Sequence, residues 1–531
     1  MEKPSLEIGN GNWAIKENSL LGYTTVDGMI LPDPITVTRA SLATRVNPSG
    51  LIEDVEFLGS EEIVNGSFTG VANGTDVTTL ANWNNYNSPT SRNVVDNKLV
   101  IVATGGNQGA YYTPGALTGL HKLSVDVSGD VGAGAIYISD PATVISTSVG
   151  TVEHYFVGTG SSGTGIFFRA GSNSAGTTSY TNISVKKATI NGLAKIDYTD
   201  GTASLLVEPA RTNTVTYSED FSQYSHGGVA PTLTTGQLAP DGTLTATKVS
   251  GIIGNTSLYK TSVTSTTATR SIYARTVSGT GTASLMSYHS NTNNTFTITE
   301  EWQRFELTGA VATGGANFYA IDFRDSSTTL SEVIIWGAQA EEAAYPTSYI
   351  KTQGSTVTRA QDVITKTGIS DKINSTEGVF FVETAFLNDT GNYKSVTLSD
   401  GTTANRITLE NRPVANQIKV FIVVSGTNVM QSTQTLTDVK AFNKMAIKWK
   451  QNDFAWFVNG VKIHTDTSGN TFSANTLNRL GFDRGDGFTL LESKVKQLQV
   501  YKTALTDLEI ESLTSFASFT EMANTLNYTI Y

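Results

Sequence analysis

Residues 444–465 read KMAIKWKQNDFAWFVNGVKIHT, in which apolar segments alternate with turn-forming residues. Residues 445–450 and 454–458 are rich in apolar and aromatic side chains, as is typical of β-strands. Asn459-Gly460 follows the second segment, and Asn-Gly favours a type I′ turn because both central residues adopt positive φ. The stretch therefore predicts consecutive antiparallel hairpins.

The composition extends this β pattern to the whole chain. The 531 residues include 49 glycines, 12 prolines and no cysteine, and 16% of them are charged, well below the roughly 25% usual in soluble domains. Hydrophobic residues make up 39%, which is enough to build packed cores. This composition excludes a helical bundle, a coiled coil and a disulfide-stabilised scaffold.

Short apolar segments separated by Gly, Asn, Ser and Asp recur along the chain, at residues 98–103, 121–127, 166–169 and 333–336. Regular spacing of this kind is typical of β-sandwiches and barrels. One helix is predicted, over residues 506–513, where Thr506 and Glu509 form a capping-box pattern. The length corresponds to about three modules of roughly 100–200 residues each.

The charge excludes one class of partner. The chain has 36 Lys and Arg against 47 Asp and Glu, a formal net charge of −11. Because affinity for nucleic acid comes mainly from neutralised phosphates, we expect no nucleic-acid binding. No stretch approaches the ~18 continuous apolar residues of a membrane span, so we also expect no membrane insertion.

A repeated string marks the module boundaries. TVTRA occurs at residues 36–40 and again at 356–360, where it follows a Tyr-Pro-Thr-Ser-Tyr stretch that is typical of a linker. The repeat predicts that the chain enters and leaves a module at these two places.

The middle of the chain resembles a known family. Residues 191–221 (NGLAKIDYTDGTASLLVEPARTNTVTYSEDF) and 336–360 (WGAQAEEAAYPTSYIKTQGSTVTRA) resemble the entry and exit of a carbohydrate-binding-like jelly-roll module of phage tail and tail-fibre proteins. Residues 301–307 (EWQRFEL) match an internal strand of that module. The resemblance covers about a third of the chain and implies a virion protein that binds host surfaces.

An insertion precedes this module. In relatives, a TRVN stretch such as residues 44–47 runs on quickly to an IDY stretch, whereas here Ile196–Tyr198 lies well over a hundred residues further on. The inserted run begins at residues 65–68 (NGSF) and closes on residues 181–187 (TNISVKK). It resembles a second jelly roll of the same kind.

The C-terminal part, residues 373–513, resembles the concanavalin-like lectin and laminin-G group. The resemblance depends on residues 378–386 (GVFFVETAF), the hairpins at 444–465, and residues 498–513 (LQVYKTALTDLEIESL). Residues 9–23 resemble the front end of phage virion proteins, which implies an attachment segment.

Together these patterns predict an all-β, multi-domain fold with two jelly rolls and one concanavalin-like sandwich on a short N-terminal anchor. The expected divisions are an attachment segment at 1–34, a connector at 35–60, an inserted jelly roll at 61–190, a central jelly roll at 191–365, a lectin-like domain at 366–516 and a tail at 517–531.

The usual catalytic motifs are absent from the sequence. It contains no H-E-x-x-H, G-x-S-x-G or P-loop pattern. Residues 158–163 (GTGSSG) precede a strand-like segment, so they form no phosphate-binding helix start. The E-x-D-x-x-E strand of retaining glucanases is also missing. We therefore expect no enzyme, although a carboxylate pair assembled from distant strands stays open.

Candidate glycan-binding residues combine aromatic faces, which pack against sugar C–H groups, with planar polar side chains, which bond hydroxyls. For each of them, core packing, a surface ion pair or an ordinary loop is the alternative. The candidates are Tyr288, Asp322 and Arg324 in the central module, Tyr393, Arg484 and Asp486 in the lectin-like module, and Trp83 and Tyr111 in the inserted module.

The sequence thus predicts a phage tail-fibre or receptor-binding protein that adheres to host-cell surface polysaccharide without cleaving it. The resemblance implies a homotrimer, contacts with other virion proteins through the N-terminus, and assembly into the virion in the host cytoplasm. No cofactor is expected beyond a structural calcium ion, for which no ligands can be assigned. The alternatives are a structural or decorating virion component and a capsule depolymerase.

Overall fold

The structure is a computed structural model that describes residues 2–130, 135–145, 149–170, 175–264, 266–288, 294–310, 318–389, 391–525 and 529. The described chain is almost entirely β, in several facing sheets, which confirms the predicted multi-domain all-β class. No helix among the described residues is long and apolar enough to cross a membrane.

The C-terminal sandwich has two facing layers that enclose one apolar core and are joined at one edge, where Glu7 of Leu6–Gly9 pairs with Tyr23 of Ser19–Val26. The first layer contains, in order, Val461–Asp466, Phe454–Val458, Asn443–Lys450, Glu377–Phe386, Ser493–Tyr501 and Leu6–Gly9. Ser204–Val207 also pairs with Ser493–Tyr501, and Lys195–Asp197 pairs with Ser204–Val207. The second layer contains, in order, Thr427–Thr435, Gln417–Val424, Arg406–Asn411, Lys394–Ser399, Arg479–Gly481, Val363–Thr367, Met29–Thr38, Ser19–Val26 and Ile15–Lys16.

The N-terminal segment is built into this sandwich. Leu6–Gly9 pairs with Ser493–Tyr501 in the first layer, and the hairpin of Ser19–Val26 and Met29–Thr38 extends the second. Leu6 and Ile35 are fully buried in the shared core. The described strands of the predicted attachment segment therefore belong to the C-terminal domain. An attachment role for them stays a prediction.

The inserted jelly roll lies between Phe57 and Thr189. Its first sheet contains, in order, Gly150–Thr159, Thr118–Gly129, Gly176–Thr189, Lys98–Ala103, Ser91–Val95 and Thr75–Asp76, with Phe57–Glu61 paired to Gly176–Thr189. The second contains Ala142–Ile145, Ile136–Ser139, Ile166–Ala170, Gln108–Tyr112 and Trp83–Tyr86. Their facing sides enclose a separate apolar core.

The central jelly roll has two five-stranded sheets around its own core. One contains Ser225–Gly228, Thr256–Lys260, Tyr319–Asp322, Gly281–Ser287 and Thr295–Ile298, and the other Thr232–Gln237, Ala246–Ser250, Glu332–Glu341, Ala268–Arg275 and Gln303–Ala310. Two short pairs, Arg211–Asn213 with Val357–Arg359 and Thr44–Val46 with Ile52–Asp54, lie where the chain passes between domains.

The local predictions agree with the structure. Asn459 and Gly460 have φ of 49° and 81°, as a type I′ turn requires. The helix Asp507–Thr514 begins after Thr506, and Thr506 and Glu509 form the capping box. A second helix, Phe519–Thr525, lies in the predicted tail, and short 3-10 helices occur at Val77–Thr79 and Phe221–Gln223.

Candidate functional site

An aromatic platform covers the outer face of the five-stranded sheet in the inserted jelly roll. It consists of Tyr86, Tyr111, Tyr137 and Phe167, all half-buried. Side chains alternate across a strand, so these rings point outward. Their neighbours along the strands, such as Phe168 and Tyr112, point into the core.

The strand register brings the four rings together. Tyr111 and Tyr137 lie opposite Phe167 on its two flanking strands. The ring centroids of Tyr111 and Phe167 are 4.7 Å apart and nearly parallel, at 20°. Those of Tyr86 and Tyr137 lie 4.8 Å and 5.4 Å from that of Phe167. The result is a continuous aromatic surface about Phe167.

Polar groups border the platform. Arg169 lies over the Tyr137 ring, with its guanidinium carbon 5.4 Å from the ring centroid, and its Nη1 donates to Asn107 Oδ1 at 2.7 Å. Asn84 lies opposite Tyr111 on the neighbouring strand. An aromatic face beside amide and guanidinium groups can pack against the C–H face of a sugar while bonding its hydroxyls.

Of the two candidates in this domain, only Tyr111 lies on the platform. Trp83 is 4% exposed and lies in the core, where its ring contacts those of Phe68, Tyr112 and Phe168. Its position on the strand Trp83–Tyr86 points it inward, whereas Tyr86 lies on the outer face. Trp83 is therefore a core residue, as the alternative to glycan binding predicts.

A second candidate surface, the basic groove, lies on the outer face of the second layer of the C-terminal sandwich. Its cavity is about 280 Å3 in volume. Two of the candidate residues, Tyr393 and Arg484, lie in it together. The groove is lined by Tyr393, Arg406, Glu410, Arg412, Lys419, Phe421, Asn428, Arg484 and Thr489.

Strand pairing and one loop form the groove. Glu410 lies opposite Lys419, and Thr408 opposite Phe421, so their side chains share the face away from the core. The loop that carries Arg484 is held on this face, because Arg406 Nη1 donates to the Arg484 carbonyl at 2.9 Å. Ser399 Oγ donates to the Gly485 carbonyl at 3.0 Å and holds the same loop.

Cations surround the ring of Phe421. The guanidinium carbon of Arg406 is 4.8 Å and Lys419 Nζ is 5.1 Å from its centroid. Burial, and then the positive charge of Arg484, lower the pKa of Arg406. Burial raises the pKa of Glu410, an effect that Lys419 partly offsets. The groove therefore favours negative charge on a ligand.

The remaining candidates are paired or lie elsewhere. Arg484 Nη2 is 2.7 Å from Asp486 Oδ2, so Asp486 neutralises part of the groove. In the central jelly roll, Arg324 contacts Asp322 through Nη2 at 2.6 Å and Nε at 2.8 Å. The two charges neutralise each other, so Asp322 and Arg324 form a surface ion pair, the alternative given for them in place of glycan binding. Tyr288 lies 5.5 Å from the guanidinium carbon of Arg270, measured to the ring centroid.

Carboxylates from distant segments meet at the junction of the two jelly rolls. Lys122 Nζ lies 3.3 Å from Asp54, 2.7 Å from Glu56 and 3.0 Å from Glu153. The Tyr155 hydroxyl is 2.7 Å from Glu56. Burial raises the pKa of Glu56, although Lys122 opposes this effect. Lys122 and the three carboxylates around it line a cavity of about 320 Å3.

The expected calcium site finds no support in side-chain geometry. Within the part of the chain that the structure describes, no group of three or more His, Asp or Glu side chains is arranged to hold a metal ion. Amide and backbone oxygens can also hold calcium, so the structural ion stays a prediction.

Sequence reasoning missed Tyr137 and Phe167. The signal was present in residues 166–169 (IFFR), where Phe167 and Phe168 are adjacent and must therefore point to opposite faces. Arg406, Arg412 and Lys419 were also missed. Their convergence on one face depends on strand register, which no local pattern in the sequence reveals.

The chain matches no protein-family model. No curated protein matches it in sequence. Parts of the chain are similar to parts of solved structures. The CBM40 domain of the Ruminococcus gnavus IT-sialidase is 15% identical over 27% of this chain and 85% of that one, with a TM-score of 0.24. Domain 4 of AbnA, an extracellular arabinanase of Geobacillus stearothermophilus solved with arabinotriose, is 12% identical over 33% and 84%, also at 0.24. Likenesses at these scores establish neither a ligand nor an activity for this chain.

Proposed function

We propose that this chain is a virion protein that adheres to host-surface polysaccharide without cleaving it. The observation that carries the binding proposal is the aromatic platform, where Tyr86, Tyr111 and Tyr137 surround Phe167 within 5.4 Å. Four adjacent rings on a flat sheet face offer more apolar contact than a single exposed tyrosine. Binding at one such site would be weak, and several copies of the chain would strengthen it through avidity.

The virion assignment depends on the sequence resemblance of residues 191–221 and 336–360 to phage tail modules. Detection of the chain in purified particles by mass spectrometry would support it. A homotrimer is the proposed assembly, and light scattering on the purified chain measures the mass directly. A monomer at micromolar concentration would contradict the trimer while leaving the binding proposal intact.

The binding proposal is tested with the full-length chain on an array of bacterial surface polysaccharides. Tyr111→Ala and Phe167→Ala each remove part of the platform, and we expect both to reduce the bound signal at least tenfold. Phe519→Ala is the matched control, because Phe519 is an exposed aromatic residue on the C-terminal helix. Equal binding by all three variants and the unaltered chain would reject the platform as the site.

Cleavage of the polysaccharide is the second candidate, and the junction cavity favours it. Glu56 is a buried carboxyl whose raised pKa suits a general acid, and other carboxylates line the same cavity. Release of reducing ends from a bound polysaccharide, lost in Glu56→Gln and retained in Glu17→Gln, would support it. If no reducing ends are released, the cleavage proposal is rejected and the carboxylates at the junction have a structural role.

A further inference from the structure

The basic groove holds cations that lack carboxylate partners. Among the described residues, Arg406, Arg412 and Lys419 form no ion pair, whereas Arg484 pairs with Asp486. Glu410 is the single carboxylate that lines the groove. Besides the Arg484–Asp486 pair, three positive charges and the one carboxylate of Glu410 thus lie on one face of a chain whose net charge is −11.

Placing several like charges close together with too few countercharges is electrostatically unfavourable. The repulsion is stronger where the side chains are partly removed from water. Burial lowers the pKa of Arg406 most, and the positive charge of Arg484 lowers it further. An anionic group bound between the cations would offset their mutual repulsion. The groove should therefore bind an anionic ligand more tightly than a neutral one.

The shape and chemistry of the groove indicate the kind of anion. Guanidinium groups are planar and bind carboxylates through paired hydrogen bonds. Tyr393 at the groove is 45% exposed, and Phe488, on the loop that carries Arg484, is 68% exposed. Exposed rings beside the cations suit a charged sugar, whose ring offers C–H faces as well as an acidic group. The cavity volume of about 280 Å3 is close to the lower end of the range for ligand pockets, about 300 Å3.

We propose that the basic groove is a binding site for acidic saccharides, with Arg406, Arg412 and Lys419 around the acidic group and Tyr393 against the sugar ring. This site lies in a different domain from the aromatic platform and does not depend on it. It assigns the C-terminal sandwich a ligand class of its own, sugars that carry a carboxylate or sulfate.

Calorimetry on the full-length chain tests the proposal with paired probes. Trigalacturonate, trimannuronate and a chondroitin sulfate tetrasaccharide are the acidic probes, maltotriose is the neutral one, and inorganic phosphate is the bare anion. We expect at least one acidic saccharide to bind tenfold or more tightly than maltotriose and phosphate. Its affinity should fall as salt is raised, because added ions screen the attraction.

Variants locate the site. Lys419→Met keeps the aliphatic stem over Phe421 and removes the charge, and we expect it to weaken acidic-saccharide binding about tenfold. Arg412→Gln should have a similar effect. Lys440→Gln is the matched control, because Lys440 is exposed and lies outside the groove lining. Phe519→Ala, at an exposed residue outside both the groove and the platform, should leave acidic-saccharide binding unchanged.

Three results would overturn the proposal. One is that no acidic saccharide binds better than maltotriose. Another is that phosphate binds as tightly as the acidic saccharides, because the groove would then recognise a bare anion. The third is that Lys419→Met and Lys440→Gln have equal effects, because binding would then depend on net charge and not on the groove.

Discussion

Arg39 and Asp362 are 323 positions apart in the chain and form a buried ion pair, with Arg39 Nη1 2.8 Å from Asp362 Oδ1. Lys195 Nζ lies 2.8 Å from the other carboxylate oxygen of Asp362 and also contacts Glu208. Arg359 reaches Glu208 at 3.1 Å. Arg39 and Arg359 are the arginines of the two TVTRA strings, so the repeat marks the two strands that meet in this cluster.

Asp362→Asn tests whether this cluster holds the chain together. The substitution leaves Arg39 and Lys195 buried without that countercharge, and breaking a buried pair from one side typically costs about 3–5 kcal/mol. We expect a large drop in the urea midpoint of the C-terminal sandwich. Asp371→Asn is the control, since the Asp371 side chain is 68% exposed. Similar midpoints for the two variants would show that the cluster contributes little.

The local parts of this architecture could be predicted from sequence. The Asn459-Gly460 turn and the Thr506 cap depend on residues within four positions of each other. The pairing of Leu6–Gly9 with Ser493–Tyr501 could not be predicted, because its partners are 488 to 494 positions apart and either strand alone is only a short apolar segment. The same holds for the candidate site residues. Tyr111 could be predicted as a candidate from the aromatic content of its segment. The proximity of Tyr393 to Arg484 could not, because it depends on the fold.

Trp83→Ala and Tyr111→Ala should separate stability from binding in the inserted jelly roll. Trp83 is buried, and truncating a buried tryptophan costs about 3–5 kcal/mol. Tyr111 is half-buried on the outer face, so its loss should lower the unfolding free energy much less while removing glycan binding. Thermal unfolding and the polysaccharide array give the two measurements. A Tyr111→Ala chain that unfolds as early as Trp83→Ala would show that the platform is part of the packing.

Glu219 gives a pH dependence whose sign can be derived. Burial raises its pKa, and the positive charge of Lys351, 2.9 Å away, offsets this only in part. Because the folded state then binds the proton more tightly than the unfolded state, the contribution of Glu219 to stability is present at acid pH. It is lost as pH rises through the folded pKa.

Glu219→Gln removes this titration. We therefore expect the unfolding free energy of the unaltered chain, relative to the variant, to increase as pH falls from 7.5 toward 4.5. Urea midpoints across this range measure the difference, and Glu17→Gln, at an exposed carboxylate, controls for net charge. A relative stability that decreases toward acid pH would mean that Lys351 outweighs burial at this position.

Ile30→Asp tests the proposed contact between the N-terminal hairpin and other virion proteins. Val26, Met29, Ile30 and Leu31 form an exposed apolar tip, and Ile30 is 71% exposed. Deleting residues 1–34 would remove strands of the C-terminal sandwich, so a loss of attachment could not be distinguished from a loss of folding. A charge at the exposed tip should change the unfolding free energy by only about 0.5 kcal/mol. We expect Ile30→Asp to fold normally and to lose incorporation into particles. Val461→Asp, at an exposed apolar position (58%) on the hairpin of Phe454–Val458 and Val461–Asp466, should still be incorporated. If both variants enter particles equally well, the contact with the virion lies elsewhere on the chain.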